Sequence, residues 1–138
     1  TNSVLTTLAL GINCLTGTIP PELGNMVGLE FLDLGFNYFV GTISDTISKL
    51  SNLLLLDLAG NAFNGTIPAF MGNMYTFTYL DMAQNAFTGT LPESLGNLVG
   101  MEFFDASENR LVGTIPASYG NWIDAFHFNV GLAGTPNS

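Results

Sequence analysis

The sequence is short of the residues on which chemistry at protein sites usually depends. It has one cysteine, Cys14, and one histidine, His127. A lone cysteine closes no internal disulfide, so cysteine usage says nothing of redox compartment. With no second cysteine or nearby histidine to activate it, Cys14 is expected to be a small buried or half-buried side chain beside a turn. Basic residues are as scarce. Lys49 and Arg110 stand against eleven acidic residues, and a net charge of −9 excludes electrostatic attraction to nucleic acid or anionic lipid. A basic partner or a cation fits that balance better. Long apolar runs are missing too. The longest, Leu53 to Leu56, is far too short to span a bilayer, and no basic stretch followed by an apolar segment marks a targeting peptide. The chain also begins without methionine, as either mature processing or excision from a longer protein would produce. His127 has Asp124 three residues before it, but no serine elbow, phosphate loop or metal-ligand pair accompanies it. No enzyme activity, cofactor or metal site is therefore expected. The regularly spaced aspartates are read as sharing one environment, without the contrast that separates an acid from a base.

What is abundant is repetition. Asn13, Asn37, Asn61, Asn85 and Asn109 recur every 24 residues, and apolar residues recur with them. The units run over about 4–26, 27–50, 51–74, 75–98 and 99–122, followed by a tail over 123–138. The third carries Leu53, Leu56, Leu58, Asn61, Phe63, Ile67, Met71 and Met74. The first offers Leu5, Leu8, Leu10, Leu15, Ile19, Leu23 and Met26, and the fifth ends in Ile115, Tyr119 and Trp122. Leu56 and Leu58 alternate with polar residues, the mark of a short strand with one buried face. From Phe63 to Ile67 a second alternation predicts another extended segment, with Asn64 and Thr66 outward. Pro20, Pro68, Pro92 and Pro116 then stop pairing, with Ser44 the exception, and a single helical turn ending in glycine fits the residues after them. One unit cannot bury its own apolar face, whereas stacked units share a continuous core, and a chain that is 47% hydrophobic can fill it. An asparagine closing each first strand can bond the backbone of adjacent turns, so the five form a structural ladder.

The pattern LxxLxLxxNxFxGTIPxxLGNL, clearest in the units starting at Leu29, Leu53 and Phe77, resembles the plant-type leucine-rich repeat. The resemblance covers roughly residues 4–122. Its Gly-Thr-Ile-Pro wording is similar to plant receptor-like kinase ectodomains, polygalacturonase-inhibiting proteins and algal proteins of this type. It implies an α/β solenoid: a right-handed superhelix with a parallel β-sheet on its concave face, a second short β-segment per repeat and short helical turns on the convex side. It also implies a binding role on the concave face and an extracellular or secretory location, with an organelle lumen as the alternative. Stand-alone members carry capping segments with paired cysteines, for which Thr1–Ser3 is too short; the end of the stack there is expected to be open, as in a fragment or beneath a docked partner. The tail from Phe126 to Pro136 resembles a closing segment in which Phe128 and Ala133 replace the usual Gly and Cys, a divergent cap without its disulfide.

Stacking would line up the outward residues of the first strands. One column is Asp33, Asp57, Asp81 and Asp105, headed by Ala9. Its carboxylates are about 4.8 Å apart and repel by roughly 1 kcal/mol in water and about 3 to 4 kcal/mol at an effective dielectric of 20, which should raise some pKa values. Thr7, Phe31, Leu55, Tyr79 and Phe103 form the other column, apolar and largely aromatic on a face that should be wet, with Glu30, Glu102 and Glu108 as an acidic rim. Exposed rings of this kind mark contact surfaces. The leading expectation is a non-catalytic protein- or peptide-binding module whose partner site is Phe31, Asp33, Leu55, Asp57, Tyr79, Asp81, Phe103 and Asp105. Two alternatives stand beside it. One is a structural accessory subunit of a large assembly, membrane-associated or not. The other is an ice-binding face built on the ladder Thr18, Thr42, Thr66, Thr90 and Thr114, where Thr is also simply a good strand former. Asn64-Gly65-Thr66 is the one glycosylation sequon.

Overall fold

The structure, a computed structural model, describes residues 5–131. Thr1–Ser3 and the tail positions Ala133 and Pro136 lie outside them. Strands β1 (Thr7–Ala9), β3 (Phe31–Asp33), β5 (Leu55–Asp57), β7 (Tyr79–Asp81), β9 (Phe103–Asp105) and β11 (His127–Asn129) pair in parallel, in chain order, into a six-stranded sheet. Every step is one full period: Leu8 lies opposite Leu32, and so on through Leu56, Leu80, Phe104 and Phe128. The tail expected to be a cap thus begins by adding a sixth strand.

On the other side of the core, β2 (Thr16–Gly17), β4 (Tyr38–Gly41), β6 (Ala62–Thr66), β8 (Ala86–Gly89) and β10 (Arg110–Leu111) form a second parallel sheet. Its partners are 22 residues apart, as in Val40 opposite Ala62 and Thr66 opposite Thr88. An even offset keeps inward residues inward. Phe39, Phe63 and Phe87 accordingly stack through the core, with centroids 6.0 and 6.4 Å apart and nearly parallel planes.

Between the second strand and the next first strand lies a helical turn: Pro21–Asn25, Asp45–Lys49, Ala69–Asn73, Glu93–Asn97 and Ala117–Asn121. All five are 3-10 rather than α, with bonds three residues back, such as Leu23 N–H to Pro20 C=O and Met26 N–H to Leu23 C=O, both 3.0 Å. A 3-10 turn rises about 2.0 Å per residue against 1.5 for an α-helix, so five residues cover more of the return path. Where proline gives way to Ser44, its hydroxyl caps the turn by accepting from Thr46 N–H at 3.3 Å. Glycine does not end these turns as expected; it sits one residue inside. A Cβ on Gly24, Gly72 or Gly96 would collide with Thr46, Ser94 or Ser118 of the next repeat, so glycine sets how closely the turns pack.

The core runs unbroken along the stack, with Leu29, Leu53, Phe77 and Met101 fully buried. Burial fails at the ends. Leu5 and Leu15 remain 37% exposed, and Leu8, Leu10 and Met26 are partly buried, because among the described residues no coil packs on their N-terminal side. Ile115, expected in the core, is 49% exposed, since the second sheet stops at β10. Aromatic rings close the C-terminal side instead. Trp122 lies 5.2 Å from Phe104, 4.2 Å from Tyr119 and 5.9 Å from Phe128. Their polar atoms are satisfied: Trp122 Nε1–H donates to Leu95 C=O at 3.2 Å and Tyr119 O–H to Pro92 C=O at 3.0 Å. Cys14 is exposed, not half-buried as expected. Its repeat equivalents Tyr38, Ala62 and Arg110 are exposed too, so the position points outward.

Candidate functional site

The outward face of the six-stranded sheet carries both expected columns. In the first, Phe31 is 40% exposed, and Leu55, Tyr79 and Phe103 are half-buried. Tyr79 and Phe103 stack at 4.2 Å with planes 7° apart. The stack does not end there. His127 lies 4.3 Å beyond Phe103 at 8°, so one tail residue extends the aromatic column. Neither Phe31 nor Leu55 joins it: Leu55 puts an aliphatic group between the rings on either side.

In the second column each aspartate closes its own strand. Oδ1 of Asp33, Asp57, Asp81 and Asp105 accepts the backbone N–H two residues on, at 2.9, 2.9, 3.0 and 2.8 Å. This is the Asx-turn habit of a short acidic side chain. The Oδ2 atoms differ. Those of Asp33, Asp57 and Asp81 have no partner among the described residues, whereas Asp105 Oδ2 lies 3.0 Å from His127 Nε2 and accepts from Asn129 Nδ2 at 3.2 Å. Ser107 Oγ–H donates to Asp105 Oδ1 at 2.6 Å.

These unequal partners set the titration of the column. Burial, with the Asp81 and Asp33 charges and against the bond from Ala59, pushes the Asp57 carboxyl up to about 6. Burial and the Asp105 charge likewise raise Asp81. Burial also acts on Asp105, but the bonds from Ser107, His127 and Asn129 together outweigh it and hold the carboxyl below its ordinary value. The expectation of one shared environment is therefore corrected: each carboxylate's neighbours differ. Tyr79 is pushed up to about 12 by burial and the surrounding aspartates and stays a neutral phenol. Of the rim, Glu30 is half-buried, Glu102 is exposed, and exposed Glu108 accepts from Gln84 Nε2 at 3.3 Å.

His127, Asn129 and Ser107 were not among the residues expected at this site. A signal existed: one period beyond Phe103 and Asp105 lie His127 and Asn129. Reading the tail as a separate cap hid it.

The asparagines sit at the end of this face. Asn61 Nδ2 donates to Leu58 and Ala59 C=O of its own turn and to Leu34 C=O of the repeat before, at 3.1, 3.2 and 3.0 Å, while its Oδ1 accepts Phe39 N–H at 3.0 Å. Asn37, Asn85 and Asn109 repeat the set, each reaching back 27 residues, to Leu10, Leu58 and Met82 C=O. Asn13 is exposed and, among the described residues, bonds only Leu10 and Gly11 C=O of its own turn.

The threonines Thr18, Thr42, Thr66, Thr90 and Thr114 are all exposed, but only Thr66 lies within a strand of the second sheet; the others follow the strand ends. The sheet's 22-residue pairing shears the array, setting Thr66 opposite Thr88 rather than Thr90. Their methyls also have a packing role. Gly65, at φ 77°, leaves room where a Cβ would stand 2.8 Å from Thr42 Cγ2, and Gly89 does the same under Thr66. Asn64 is exposed on β6.

The sequence matches the Leucine Rich Repeat family over residues 4–26, 28–50, 52–74 and 76–98. The chain is a leucine-rich repeat protein of the plant type. No curated protein matches it. Solved leucine-rich repeat structures do. One is the ectodomain of the Arabidopsis receptor kinase HAESA in complex with an N-terminally extended IDA peptide hormone, 34% identical, with a TM-score of 0.89 over 94% of this chain and 22% of that one. A second is the ectodomain of the Arabidopsis thaliana receptor kinase GASSHO1/SCHENGEN3 in complex with CASPARIAN STRIP INTEGRITY FACTOR 2, 31% identical, with a TM-score of 0.87 over 95% of this chain and 16% of that one. The BIR3–SERK2 complex from the same plant is 34% identical, with a TM-score of 0.81 over 94% of this chain and 70% of that one. The chain thus spans under a quarter of the HAESA and GASSHO1/SCHENGEN3 ectodomains.

In this leucine-rich repeat module, carboxylate oxygens with unused lone pairs run beside a stack of rings on one open sheet face. Asp57 and Asp105 differ in acidity but are separated by the strand of Asp81, roughly 9.6 Å in two strand spacings. Such a surface can accept hydrogen bonds from a cationic group and cover apolar side chains. Among the described residues no group of three or more His, Cys, Asp or Glu could hold a metal ion, and no helix is long and apolar enough to cross a membrane.

Proposed function

We propose that this module binds a peptide or extended protein segment along the outward face of the six-stranded sheet, without catalysis, as part of a receptor-like protein outside the cell. The contact residues are Phe31, Asp33, Leu55, Asp57, Tyr79, Asp81, Phe103 and Asp105. The observation that carries this reading is the ring stack Tyr79–Phe103–His127 on a wet face, flanked by carboxylates whose Oδ2 atoms are unused. Rigid aromatic side chains lose little entropy on contact and act as anchors, and the acidic column selects a positively charged partner. The HAESA ectodomain, which binds a peptide hormone, supports a peptide as ligand, and the chain's likeness to receptor ectodomains supports the location.

The test is selection of random peptides displayed against the module. Binders should lose at least about tenfold in affinity, about 1.4 kcal/mol, on the triple change Asp57→Lys, Tyr79→Ala and Asp81→Lys. Selected peptides that bind the triple variant unchanged would place the site on another face.

A further inference from the structure

We propose that Leu55 marks a socket for one arginine side chain of the bound segment, its guanidinium standing edge-on over Leu55 in the gap between Phe31 and Tyr79, stacked on the free face of Tyr79 and donating to Asp57 and Asp33. The inference rests on the peptide-binding reading of this face and adds which side chain is read, and where.

The rings stacked at Tyr79, Phe103 and His127 are 4.2 and 4.3 Å apart, about one strand spacing. Phe31 and Tyr79 are two strands apart, roughly 9.6 Å, which leaves room for one planar group about 4.8 Å from each. Leu55 occupies the foot of that gap but has no ring to fill it. Tyr79 is covered by Phe103 on one face, so its other face is turned toward Leu55.

The molecule already contains such a contact elsewhere on the same face. His127 is a planar side chain that stacks on Phe103 and meets Asp105, one strand back, at 3.0 Å. Asp33 stands to Leu55 as Asp105 stands to His127, 22 residues earlier and on the preceding strand of a sheet with unchanging register. A guanidinium at the Leu55 level therefore finds the same geometry, with Asp57 of Leu55's own strand as a second acceptor. Oδ2 of both aspartates is without a partner among the described residues. The raised Asp57 carboxyl is consistent with a charge that lacks a counter-ion.

Arginine is singled out over lysine because its guanidinium is planar, stacks on rings and bonds a carboxylate at two points. The probe is acetyl-Gly-Arg-Gly-amide, compared with its lysine and citrulline counterparts, with binding read from NMR shifts of the Leu55 methyls and the Tyr79 ring. The arginine peptide should give saturable shifts at both. The lysine peptide should bind about fivefold to tenfold more weakly, without the Tyr79 ring shift, and the uncharged citrulline peptide should not bind. Leu55→Phe should abolish arginine binding by filling the gap with the chain's own ring. Phe31 and Phe103 hold phenylalanine in the same column, and a melting curve checks the fold. Asp33→Asn and Asp57→Asn together should give the same loss with Leu55 intact. Equal binding of citrulline, or arginine binding that survives either change, overturns the proposal. Displayed peptides that lack arginine yet are lost in the triple variant would overturn it while leaving the peptide-binding reading intact.

Discussion

Asp57 and Asp105 occupy the equivalent position of the third and fifth repeats, two strands apart, and their carboxyls move in opposite directions. In the middle of the sheet Asp57 is more deeply buried, has aspartates on both sides and only a backbone N–H for compensation, so burial first and the like charges second hold its proton up to about 6. At the C-terminal end Asp105 faces His127 and Asn129 instead of another acid, with Ser107 beside it, and is held below the ordinary carboxylate value. A repeat position therefore fixes where a side chain points; the coil stacked on it decides its chemistry.

The strongest way to break the difference is to unseat the strand that makes it. Trp122 backs β11 through Phe128 and is 7% exposed. Trp122→Ala should cost about 3–5 kcal/mol by urea unfolding, as large aromatic deletions in cores do. It should also raise the Asp105 carboxyl toward that of Asp81, read by NMR titration, as His127 and Asn129 lose their footing. An unchanged Asp105 would mean that the tail strand holds without its aromatic backing.

The asparagines show the same dependence on the neighbouring coil. Asn61→Leu leaves Phe39 N–H unpaired and takes one of the two bonds from each of Leu34, Leu58 and Ala59 C=O, and should cost about 1–3 kcal/mol. Asn13→Leu removes bonds only within one exposed turn and should cost under about 1 kcal/mol. Equal melting temperatures for Asn61→Leu and the parent would refute the ladder's structural role, and equal losses at both sites would refute its direction.

Replacing the two aspartates should separate them in sign. For Asp57 the folded-state pKa lies above the unfolded one, so folding takes up a proton. The stability this contributes is full below about pH 4 and is lost as pH rises to about 6. Asp57→Asn keeps an acceptor for Ala59 N–H, removes that slope and should stabilise the protein at pH 7 by up to about 1 kcal/mol, a figure limited by solvent screening. Asp105 is the reverse. Its contribution is present above about pH 4 and is lost as pH falls through the depressed value, so Asp105→Asn should destabilise at pH 7 by about 1 kcal/mol and flatten the acid limb. Chemical denaturation from pH 3 to 8 measures both. Parallel curves for the two variants would show that the column titrates as one environment after all.

The fold was legible in the sequence because its signal is averaged over five copies: one leucine misplaced in any unit would not hide the period. The two outward columns came from the same count. What escaped is what happens only once. The sixth strand lay in a tail whose Phe126, Asn129 and Gly131 resemble a closing segment, and that resemblance masks the period that reaches His127. Ser107 was invisible because its hydroxyl reaches Asp105 only after the turn forms. The 22-residue pairing of the second sheet could not be read either, because shifting by two preserves the alternation that sequence patterns report.

The smallest effect contrasts two residues of one turn position. Just before each asparagine the chain passes through left-handed backbone: φ is 55° at Ile12, 52° at Phe36, 64° at Gly60, 55° at Gln84 and 52° at Glu108. Only Gly60 is suited to it, and a Cβ there would stand 2.6 Å from the Phe36 ring. Ile12 is the least suited, a β-branched residue 84% exposed, whose side chain gains little burial to offset the strain. Left-handed backbone costs an L-residue roughly 1–2 kcal/mol, and glycine gives back about 0.5–1 through its freer unfolded chain. Ile12→Gly should therefore stabilise by about 0.5–1 kcal/mol. Gly60→Ala should destabilise by more than that gain, since it adds the clash with Phe36 to the strain. Thermal melts of the two variants decide the matter: if Ile12→Gly lowers the melting temperature, the exposed isoleucine makes contacts that outweigh its backbone strain.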